Sequence, residues 1–334
     1  MENPTVLTII VNYRAPEMAL KSLAAAVRAM EGIDGEIAVV DNGSGDDSVA
    51  LLEAAITREG WGRQGRVTLR QAGHNGGFGA GNNLCLRGGL ADGRRPDFCY
   101  LLNPDAFPRP DAIRNLLDFM RANRRAGIAG SAIEGEDGTP HQTAFRFPTI
   151  AGEFEAAART GPVTRLLKNA VVPLPLPRVT RRVDWVAGAS MMLRRMMLDE
   201  IGLFDESFFL YYEETDLCRR AARAGWETWY VCPSRVVHVG SYSTGMKLWR
   251  RTPRYWFDSR LTYFTKGHGP GYAALATLAR IAGGMLWRLR VVLSGRSLGE
   301  PPHFLHDLAT HHVRQLLRRG NSRREPLHIE ETFK

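Results

Sequence analysis

Residues 1–132 alternate short apolar runs with segments in which apolar residues recur at helical spacing. The apolar runs predict buried strands at Val6–Val11, Glu36–Asp41 and Phe98–Leu102, and further strands are predicted at Val67–Gln71 and Ile128–Ser131. Helical spacing predicts helices at Pro16–Met30, Val49–Arg58 and Asp111–Arg124, and a further helix after the segment Asn75–Asn83. This order predicts an α/β fold with a mostly parallel, Rossmann-like sheet and flanking helices, in which ligands bind at the carboxyl ends of the strands.

The second half of the chain is less regular. Residues 135–182 are rich in turns and proline, and they include the predicted extended loop Pro173–Pro177. Strand character returns at Asp184–Leu193, Glu227–Val231 and Arg235–His238. Between these strands, a dense aromatic stretch leads into a helix that begins at Glu213 and ends near Gly225.

Residues 271–293 are strongly apolar, but three arginines interrupt them, which argues against a transmembrane helix. On a helix, one face carries Leu275, Leu278, Ala282, Met285, Leu286, Leu289 and Val292, and the opposite half carries Arg280, Arg288 and Arg290. This pattern predicts either a helix that lies in a membrane interface or an amphipathic helix that packs on the protein.

The distribution of charge favours the membrane interpretation. Residues 247–334 contain 16 Lys and Arg against 6 Asp and Glu, whereas residues 1–246 are almost neutral. We therefore expect a body of residues 1–246 and a basic helical extension of residues 247–334 that binds an anionic membrane surface. Aromatic residues accompany the basic ones at 249–264, but we expect no nucleic-acid partner.

The four cysteines are too few and too scattered for a disulfide scaffold, and no pair has the CxxC spacing of a zinc site. The N-terminal sequence has no basic n-region and only a short apolar run, which predicts a first strand and not a signal peptide. Both features are typical of a cytoplasmic chain with reduced thiols.

Several polar side chains follow predicted strands and are candidates for chemistry. Asp105 and Asp41 each end a buried strand, where a carboxylate can hold a hard divalent cation or can cap its own turn. His238 ends a later strand and, beside Asp105, would be a second metal ligand. The glycine-rich segment from Gly77 to Gly81 either approaches a phosphate through its backbone or forms a tight connection.

An acidic cluster lies at the start of the helix that follows the aromatic run 208–212. Glu213, Glu214 and Asp216 would interact favourably with the helix dipole in any protein. Aromatic neighbours desolvate carboxylates and raise their pKa, which prepares a general base.

Seven segments, in order, resemble the family-2 glycosyltransferases of the GT-A fold, and rhamnosyltransferase-type enzymes of cell-surface polysaccharide synthesis in particular. The segments span residues 6–245 and read VLTIIVNYR, VVDNGSGD, NGGFGAGNN, YLLNPDA, DWVAGASMMLRR, FDESFFLYYEETDLCRRAARAG and VVHVGSYST. The resemblance implies a nucleotide-sugar half at residues 1–132 and an acceptor and catalytic half at residues 133–246.

The resemblance also implies roles for individual residues. The donor site would contain Asn12, Tyr13, Arg14, Asp41, Asn75, Gly76, Asn82, Asn103 and Asp105. Trp185 and Gly188 would lie on the acceptor side. Asp105 is the one acid kept at the family's DxD motif, so it would hold Mg²⁺ or Mn²⁺ together with His238. Glu214 corresponds to the family's base, but it replaces the usual Asp, which leaves the assignment open among Glu214, Glu213 and Asp216.

The activity that the resemblance implies is inverting transfer of a sugar from a nucleotide-sugar to a hydroxyl of a lipid-linked or cell-envelope saccharide. The expected donor is dTDP-rhamnose, and the expected acceptor is a polyprenyl-linked saccharide at the inner face of the cytoplasmic membrane, where the protein would be peripherally attached. The alternative is a catalytically inactive saccharide-binding or scaffold homologue. A homodimer is kept as an alternative to a monomer.

Overall fold

The chain forms two units, and the second unit takes residues from two separate parts of the sequence. The computed structural model of the protein describes residues 4–240, 249–294, 301 and 303–322. Unit 1 consists of Met1–Phe147 and Val172–Leu248, and unit 2 consists of Pro148–Val171 and Trp249–Lys334. The predicted division at residues 246 and 247 places 148–171 with the body, whereas the structure groups this segment with the C-terminal helices.

Strands occur in unit 1, and helices occur in both units. The strands are β1 (Val6–Asn12), β2 (Gly35–Asp41), β3 (Val67–Gln71), β4 (Phe98–Leu102), β5 (Ala106–Pro108), β6 (Ala126–Glu134), β7 (Ala144–Phe145), β8 (Arg181–Val183), β9 (Trp185–Val186), β10 (Ser190–Arg194) and β11 (Glu227–His238). The helices are α1 (Pro16–Ala29), α2 (Ser48–Arg58), α3 (Gly77–Gly88), α4 (Ala112–Ala122), α5 (Ile150–Ala158), α6 (Gly161–Leu166), α7 (Arg195–Ile201), α8 (Glu213–Arg223), α9 (Arg254–His268), α10 (Pro270–Ser294) and α11 (Phe304–Ser322).

The main sheet is mixed, not mostly parallel. Its order is β3-β2-β1-β4-β10-β6-β11-β5. The last strand, β5, pairs with the C-terminal part of β11, and β8 pairs with the N-terminal part of β11. The first four strands run parallel, as predicted, but β10 pairs antiparallel with both β4 and β6. An apolar run indicates that a strand is buried on both faces but not which way it runs, so the sequence pattern could not show this reversal.

Helices cover both faces of the sheet, as predicted. On one face, α1, α2 and α4 contribute Leu23, Leu52 and Leu116 to a core that also contains Ile10 of β1. On the other face, α3, α7 and α8 contribute Leu86, Leu198 and Leu217 to a second core. Since successive side chains of a strand point to opposite faces, each central strand supplies both cores. The carboxyl ends of β1, β2 and β4 lie together at one edge of the sheet, where polar residues can lie side by side.

Parts of the second half are more regular than predicted. The turn-rich region 135–182 contains α5, α6 and two short strands. The two short strands predicted after residue 226 are one strand, β11, whose register against β6 shifts between Val231 and Arg235. Proline and glycine mark turns well, but they do not show that the intervening residues pack on a distant helix.

In unit 2, α10 packs through small residues. Gly283 approaches α5 so closely that an added Cβ would lie 2.5 Å from the carbonyl oxygen of Phe154. The buried residues of α10 are Ala273, Ala276, Thr277, Gly283, Gly284 and Trp287. None of them belongs to the apolar face predicted from helical spacing, so α10 packs through a different side.

The predicted apolar face of α10 is exposed. Five of its members are between 55% and 81% exposed: Leu275, Leu278, Met285, Leu289 and Val292. Arg280 instead lies on the packed side, where its guanidinium faces the rings of Trp256 and Phe304. Within the described ranges, no helix is both long and apolar enough to cross a membrane.

Candidate active site

At the ends of β1 and β2, a buried hydrogen-bond network joins the two strands. The Asn12 side chain donates to the Asp41 carboxylate over 3.0 Å and accepts from the backbone N–H of Ala15. Asp41 also accepts from the hydroxyl and the backbone N–H of Ser44. The Asp41 carboxylate therefore caps its own turn, which is one of its two interpretations, and its role toward a ligand stays a prediction.

Ser44 also fixes the loop that carries Tyr13 and Arg14. The backbone N–H of Arg14 donates to the Ser44 hydroxyl, and its Nε donates to the Ser44 carbonyl over 2.8 Å. Arg14 has a left-handed backbone (φ 53°), which is uncommon outside glycine. Its guanidinium lies 5.3 Å from the centre of the Tyr13 ring. The edge thus presents a cation and a half-buried ring beside the Asn12–Asp41 pair.

The glycine-rich segment connects this edge to the aromatic run. The Asn42 side chain donates to the Asn75 side chain and to the Gly77 carbonyl. The backbone N–H of Phe78 donates to the carbonyl of Phe209 over 3.1 Å. Gly77 has φ +87°, and an added Cβ would lie 1.9 Å from that same carbonyl oxygen. The segment is therefore the tight connection predicted as one alternative, and it brings the start of α3 against the residues before α8.

Two consecutive tyrosines with left-handed backbone place the acidic cluster. Tyr211 and Tyr212 both have φ 69°, and Tyr212 is the residue before the first turn of α8. Such a conformation costs a non-glycine residue roughly 1–3 kcal/mol and is found mostly at functional sites. The turn directs Glu213 and Glu214 into the interior of unit 1 at the start of the helix.

Glu213 is buried, and the neighbouring Glu214 is half-buried. One oxygen of each, Oε2, is buried and makes no hydrogen bond in the described part of the chain. Burial raises the pKa of Glu214 to about 7, because it outweighs the backbone N–H groups of Glu214 and Thr215 that favour the anion. Burial and the neighbouring Glu214 charge raise the pKa of Glu213 well above its usual value. A carboxyl group that titrates near neutral pH is suited to proton transfer.

Asp216 has a different environment from the other two acids. Its carboxylate accepts a hydrogen bond from Arg220 Nε over 2.8 Å, one helical turn further on. Arg220 also donates to the backbone carbonyls of Ile201, Gly202 and Leu203. Asp216 therefore orients an arginine that fastens α8 to the preceding segment, which is a structural arrangement.

Gly188 and Ala189 connect the acidic pair to the end of β4. The backbone N–H of Asn103 donates to the Ala189 carbonyl over 3.0 Å. A Cβ added to Gly188 would lie 3.8 Å from the Cβ of Glu214 and 3.4 Å from the Phe78 ring. Gly188 and Ala189 thus contact both Glu214 and the turn Asn103–Asp105, and neither residue has a large side chain.

Asp105 and His238 form a pair. His238 Nε2 lies 3.1 Å from Asp105 Oδ1, and the Asp105 carbonyl accepts from the backbone N–H of Val239. The pairing of β5 with the end of β11 sets Ala106 opposite His238. Among the described residues, no group of three or more His, Cys, Asp or Glu side chains is arranged to hold a metal ion. The pair by itself could supply two ligands and would leave the other positions to substrate or water.

Two predicted site residues make contacts that the sequence does not suggest. The Asn82 side chain donates to the Phe78 carbonyl within its own helix. Trp185 stacks on Phe145 at 4.0 Å between ring centres, and its indole N–H donates to the Arg146 carbonyl. Asn75 and Gly76, in contrast, lie at the start of α3 beside Asn42, as the order of the segments implied.

Sequence reasoning missed two polar residues that build the site: Ser44 and Asn83. The Asn83 side chain exchanges two hydrogen bonds with the backbone of Phe204 and so connects α3 to the segment before α8. The signal for Ser44 was a polar turn directly after a strand end, which any ordinary turn shows as well. Asn83 lies within α3, where its amide side chain gives no sign of its distant partner.

The chain matches two family models along overlapping stretches. Residues 8–170 match the model of glycosyl transferase family 2. Residues 99–305, more than half of the chain, match that of glycosyl transferase family group 2. The chain belongs to the family-2 glycosyltransferases.

Similar proteins include enzymes named for rhamnose transfer. The glycosyltransferase is 29% identical over 252 residues to N-acetylglucosaminyl-diphospho-decaprenol L-rhamnosyltransferase of Mycobacterium tuberculosis, covering 72% of this chain and 78% of that protein. It is 26% identical over 169 residues to rhamnosyltransferase WbbL of Escherichia coli, covering 50% of this chain and 62% of that protein. The expected likeness to rhamnosyltransferase-type enzymes is confirmed.

Solved structures confirm the fold of the glycosyltransferase. The mannosyltransferase PcManGT from Pyrobaculum calidifontis, in complex with GDP-Man and Mn²⁺, superposes with a TM-score of 0.51 at 14% identity, covering 95% of this chain and 87% of that one. GalNAc-T7 with UDP, GalNAc and Mn²⁺ gives a TM-score of 0.52 at 13% identity, covering 96% of this chain and 58% of that one. The GT-A fold expected from the seven segments is therefore confirmed.

Proposed function

We propose that this glycosyltransferase moves rhamnose from dTDP-rhamnose to a hydroxyl of a polyprenyl-diphosphate-linked saccharide, with inversion at the anomeric carbon. The observation that carries the proposal is the Glu213–Glu214 pair, whose Oε2 atoms are buried and which follows the Tyr211–Tyr212 turn, with the Cβ of Glu214 beside Gly188. The choice of sugar and of a lipid-linked acceptor rests on the names of the mycobacterial and enterobacterial relatives.

The donor would bind along the carboxyl edge of the sheet. Tyr13, Arg14 and Asp41 would contact the nucleotide, with the guanidinium of Arg14 near its phosphates. The turn from Asn103 to Asp105 would lie beside the diphosphate. Asn75, Gly76 and Asn82 complete the proposed donor site, and the Asn82 contribution would require its amide to leave the Phe78 carbonyl.

A divalent cation fits the Asp105–His238 pair. One carboxylate and one imidazole 3.1 Å apart are too few to enclose an ion, but Mg²⁺ and Mn²⁺ are commonly held by one or two side chains together with phosphate oxygens. Such an ion would neutralise charge on the departing diphosphate. Its binding would replace the direct contact between His238 Nε2 and Asp105 Oδ1 with bonds from both side chains to the ion.

Glu214 is the proposed base. Its carboxylate takes the proton of the acceptor hydroxyl while that oxygen forms a bond to the anomeric carbon. The bond from the anomeric carbon to the diphosphate oxygen breaks on the opposite face, and its electron pair leaves with the nucleoside diphosphate. One displacement inverts the configuration and needs no covalent enzyme intermediate. Gly188 and Trp185 would border the acceptor.

Unit 2 is the proposed membrane contact. The exposed apolar face of α10 carries five large side chains that no element of the described residues covers, and residues 247–334 carry the excess of positive charge. An interfacial helix buries such a face among lipid acyl chains, and anionic lipids attract its basic surroundings. We propose peripheral attachment at the inner face of the cytoplasmic membrane, where a polyprenyl-linked acceptor would be reached.

The first experiment is nucleoside diphosphate release from a panel of sugar nucleotides, with and without Mn²⁺ or Mg²⁺. The panel contains dTDP-rhamnose, UDP-glucose, UDP-galactose, UDP-N-acetylglucosamine and GDP-mannose, and a thermal-shift measurement accompanies it. We expect a metal-dependent response to dTDP-rhamnose alone. A response to another donor would show that the transferred sugar is not rhamnose. No response to any donor in either measurement would favour the inactive saccharide-binding alternative.

Glu214→Gln tests the base, with Asp216→Asn as its matched control. We expect E214Q to bind the donor normally and to lose at least about a hundredfold in turnover, which is the usual contribution of a general base. D216N should lose stability through Arg220 but retain far more turnover. If D216N loses more turnover than E214Q at a temperature where both are folded, the base has been assigned to the wrong acid.

Asp105→Asn tests the metal site. We expect the variant to lose the metal-dependent part of the donor's thermal shift, because one of two ligands has lost its charge. Asp111→Asn, which removes an exposed carboxylate just before α4, serves as the control and should keep the whole shift. An unchanged Mn²⁺ dependence in D105N would place the ion elsewhere.

A further inference from the structure

Unit 2 contains a cationic cavity between the start of α9 and the length of α11. Its volume is about 370 Å³, which is in the range of small-molecule sites. The residues of its wall that matter here are Arg251, Arg254, Phe257, His311, Arg314 and Arg318. Neither the seven segments nor the roles proposed above involve any of them.

Two carboxylates hold part of this wall in place. Asp307 is buried and accepts two hydrogen bonds from the Arg251 guanidinium, at 2.7 and 2.5 Å. Asp258 accepts from His311 Nε2 at 2.7 Å and from Gln315 at 3.2 Å. The Arg251 contact lowers the pKa of Asp307, so this carboxylate stays ionised and keeps the arginine oriented.

At the other end of the cavity wall, the charges of two arginines are not balanced by any carboxylate of the described residues. Arg314 and Arg318 are one turn apart on α11, both are exposed, and no carboxylate in the described ranges lies within salt-bridge distance of either. Arg254 shares Asp258 with His311. Four arginines thus face two carboxylates, which leaves two positive charges in the cavity without counting the two histidines of its wall, His306 and His311.

The apolar surface next to these cations indicates a lipid rather than a soluble anion. Val313 and Leu317 are exposed on the same helix, and each directly precedes one of the two arginines, Arg314 and Arg318. Large apolar side chains beside basic ones are typical of helices that lie at the headgroup level of a bilayer. Phosphate groups are found at that same level, and basic pockets between helices bind lipid headgroups there.

We propose that this cavity binds the phosphate groups of a lipid headgroup. Arginine presents a planar fork that matches phosphate oxygens, and two uncompensated charges match a diphosphate diester, which carries one negative charge on each phosphate. The sugar-bearing lipid diphosphate of the acceptor is the occupant that the proposed function supplies, and the inference rests on that function for this choice. An anionic phospholipid offers the same phosphate chemistry.

Vesicle flotation of the full chain, without sugar nucleotide, tests the proposal. The vesicles consist of phosphatidylcholine alone, of phosphatidylcholine with a few mole per cent undecaprenyl diphosphate, and of phosphatidylcholine with phosphatidylglycerol at matched surface charge. We expect Arg314→Gln with Arg318→Gln to weaken binding to the undecaprenyl diphosphate vesicles about tenfold or more. Soluble pyrophosphate should compete in the wild type and raise its melting temperature, but it should do neither in the double variant.

The control removes two cations from the same unit outside the cavity. Arg165→Gln with Lys168→Gln changes side chains at and just after the end of α6 and should bind all vesicles as the wild type does. Equal binding by R314Q/R318Q and R165Q/K168Q would overturn the proposal. If R314Q/R318Q binds undecaprenyl diphosphate vesicles and phosphatidylglycerol vesicles more weakly to the same extent, the cavity binds lipid phosphate as proposed. The phosphate would then come from phospholipid.

The outcome is separable from that of the proposed function. Flotation needs no turnover, so Glu214→Gln should bind undecaprenyl diphosphate vesicles normally while it loses transfer. If the wild type binds these vesicles through the cavity but releases no nucleotide from any donor, the cavity stands and the transferase proposal fails.

Discussion

At the scale of single residues, the hydrogen-bond partners of the three acids of α8 distinguish them, since Asp216 is buried as well. Glu213 and Glu214 keep buried oxygens that make no hydrogen bond within the described residues, whereas Asp216 is neutralised by Arg220. Burial of an ionised carboxylate costs folding free energy, so two adjacent carboxyl groups with buried oxygens persist only where the rest of the fold offsets that cost. Between the two, Glu214 is the acid whose Cβ lies next to Gly188, a position without a side chain.

Gly188→Ala should reduce activity without disturbing the fold. The new methyl group would meet the Phe78 ring at 3.4 Å and the Cβ of Glu214 at 3.8 Å, which is ordinary van der Waals contact. It would occupy the space above the proposed base, so we expect kcat/KM for the acceptor to fall about tenfold, since a misplacement of this size is costly in a near-attack geometry. Steady-state kinetics and thermal melting measure both effects.

Gly161→Ala is the control for this substitution, because an added Cβ there meets nothing within 4 Å. If Gly188→Ala and Gly161→Ala have the same kcat/KM, the acceptor does not approach Glu214 past residue 188.

The pH dependence of the reaction should follow the Glu214 carboxyl. Burial raises its pKa to about 7, so the base is protonated in acid and kcat/KM should fall about tenfold per pH unit below that value. The same shift affects stability. The folded state holds this proton more tightly than the unfolded state, so its contribution to stability is greatest in acid and is lost as pH rises from the ordinary range of a glutamate through about 7.

Glu214→Gln should therefore melt higher than the wild type at pH 8 and almost equally at pH 5, with its remaining activity independent of pH near 7. Melting curves at both pH values, with Asp216→Asn as the comparison, measure this difference. A wild-type profile that is flat between pH 6 and 8 would contradict the role of Glu214.

At the scale of elements, the sequence predicts much of unit 1 and less of unit 2. The strands β1 to β4 and the helices α1, α2 and α4 lie within two residues of their predicted bounds at almost every end, because buried runs and helical spacing are strong local signals. The antiparallel direction of β10 and the two helices within residues 148–171 depend on distant partners. Local patterns carry no information about such partners, which is why both were missed.

The orientation of α10 is a second feature that spacing alone could not decide. Both interpretations of residues 271–293 predict the same amphipathic pattern, and only the packing of Gly283 and its neighbours shows which side faces the protein. The small residues allow α5 and α10 to approach closely, and the large apolar residues are left outside. A helix usually buries its large apolar face, so this arrangement points to a lipid or protein surface that covers it.

Leu278→Glu with Met285→Glu should abolish flotation with anionic vesicles and leave the fold intact. Both side chains are exposed, so the substitution removes no internal contact, but two carboxylates would enter the acyl region and meet anionic lipid. Leu166→Glu, at an exposed leucine of α6, is the matched control and should still float. A wild type that fails to float at physiological salt would refute the membrane proposal, and a change from dimer to monomer in the double variant would assign the face to a second copy.

At the scale of the whole molecule, unit 2 depends on residues 148–171, a segment that is separated along the chain from the C-terminal helices of the same unit. Glu153 of α5 accepts hydrogen bonds from Arg260 of α9 at 2.7 and 3.0 Å, and Arg280 of α10 lies 3.5 Å from the same oxygen. Arg260 is almost fully buried and also donates to Thr277. One carboxylate from residues 148–171 therefore pairs with two arginines of the C-terminal helices, which explains why this segment belongs to unit 2.

Glu153→Gln should unfold unit 2 at conditions where unit 1 persists. The substitution leaves the Arg260 charge buried without its counter-ion, which typically costs about 3–5 kcal/mol. Glu155→Gln is the control, because Glu155 is also buried on α5 but forms no ion pair within the described residues, and a glutamine oxygen can still accept its hydrogen bond from Thr164. We expect E153Q to lose vesicle flotation and protease resistance over residues 254–294 while it still binds the sugar nucleotide, and E155Q to keep all three. If E153Q and E155Q resist protease equally, the Glu153–Arg260 pair does not hold unit 2 together, and apolar packing around Gly283 is sufficient.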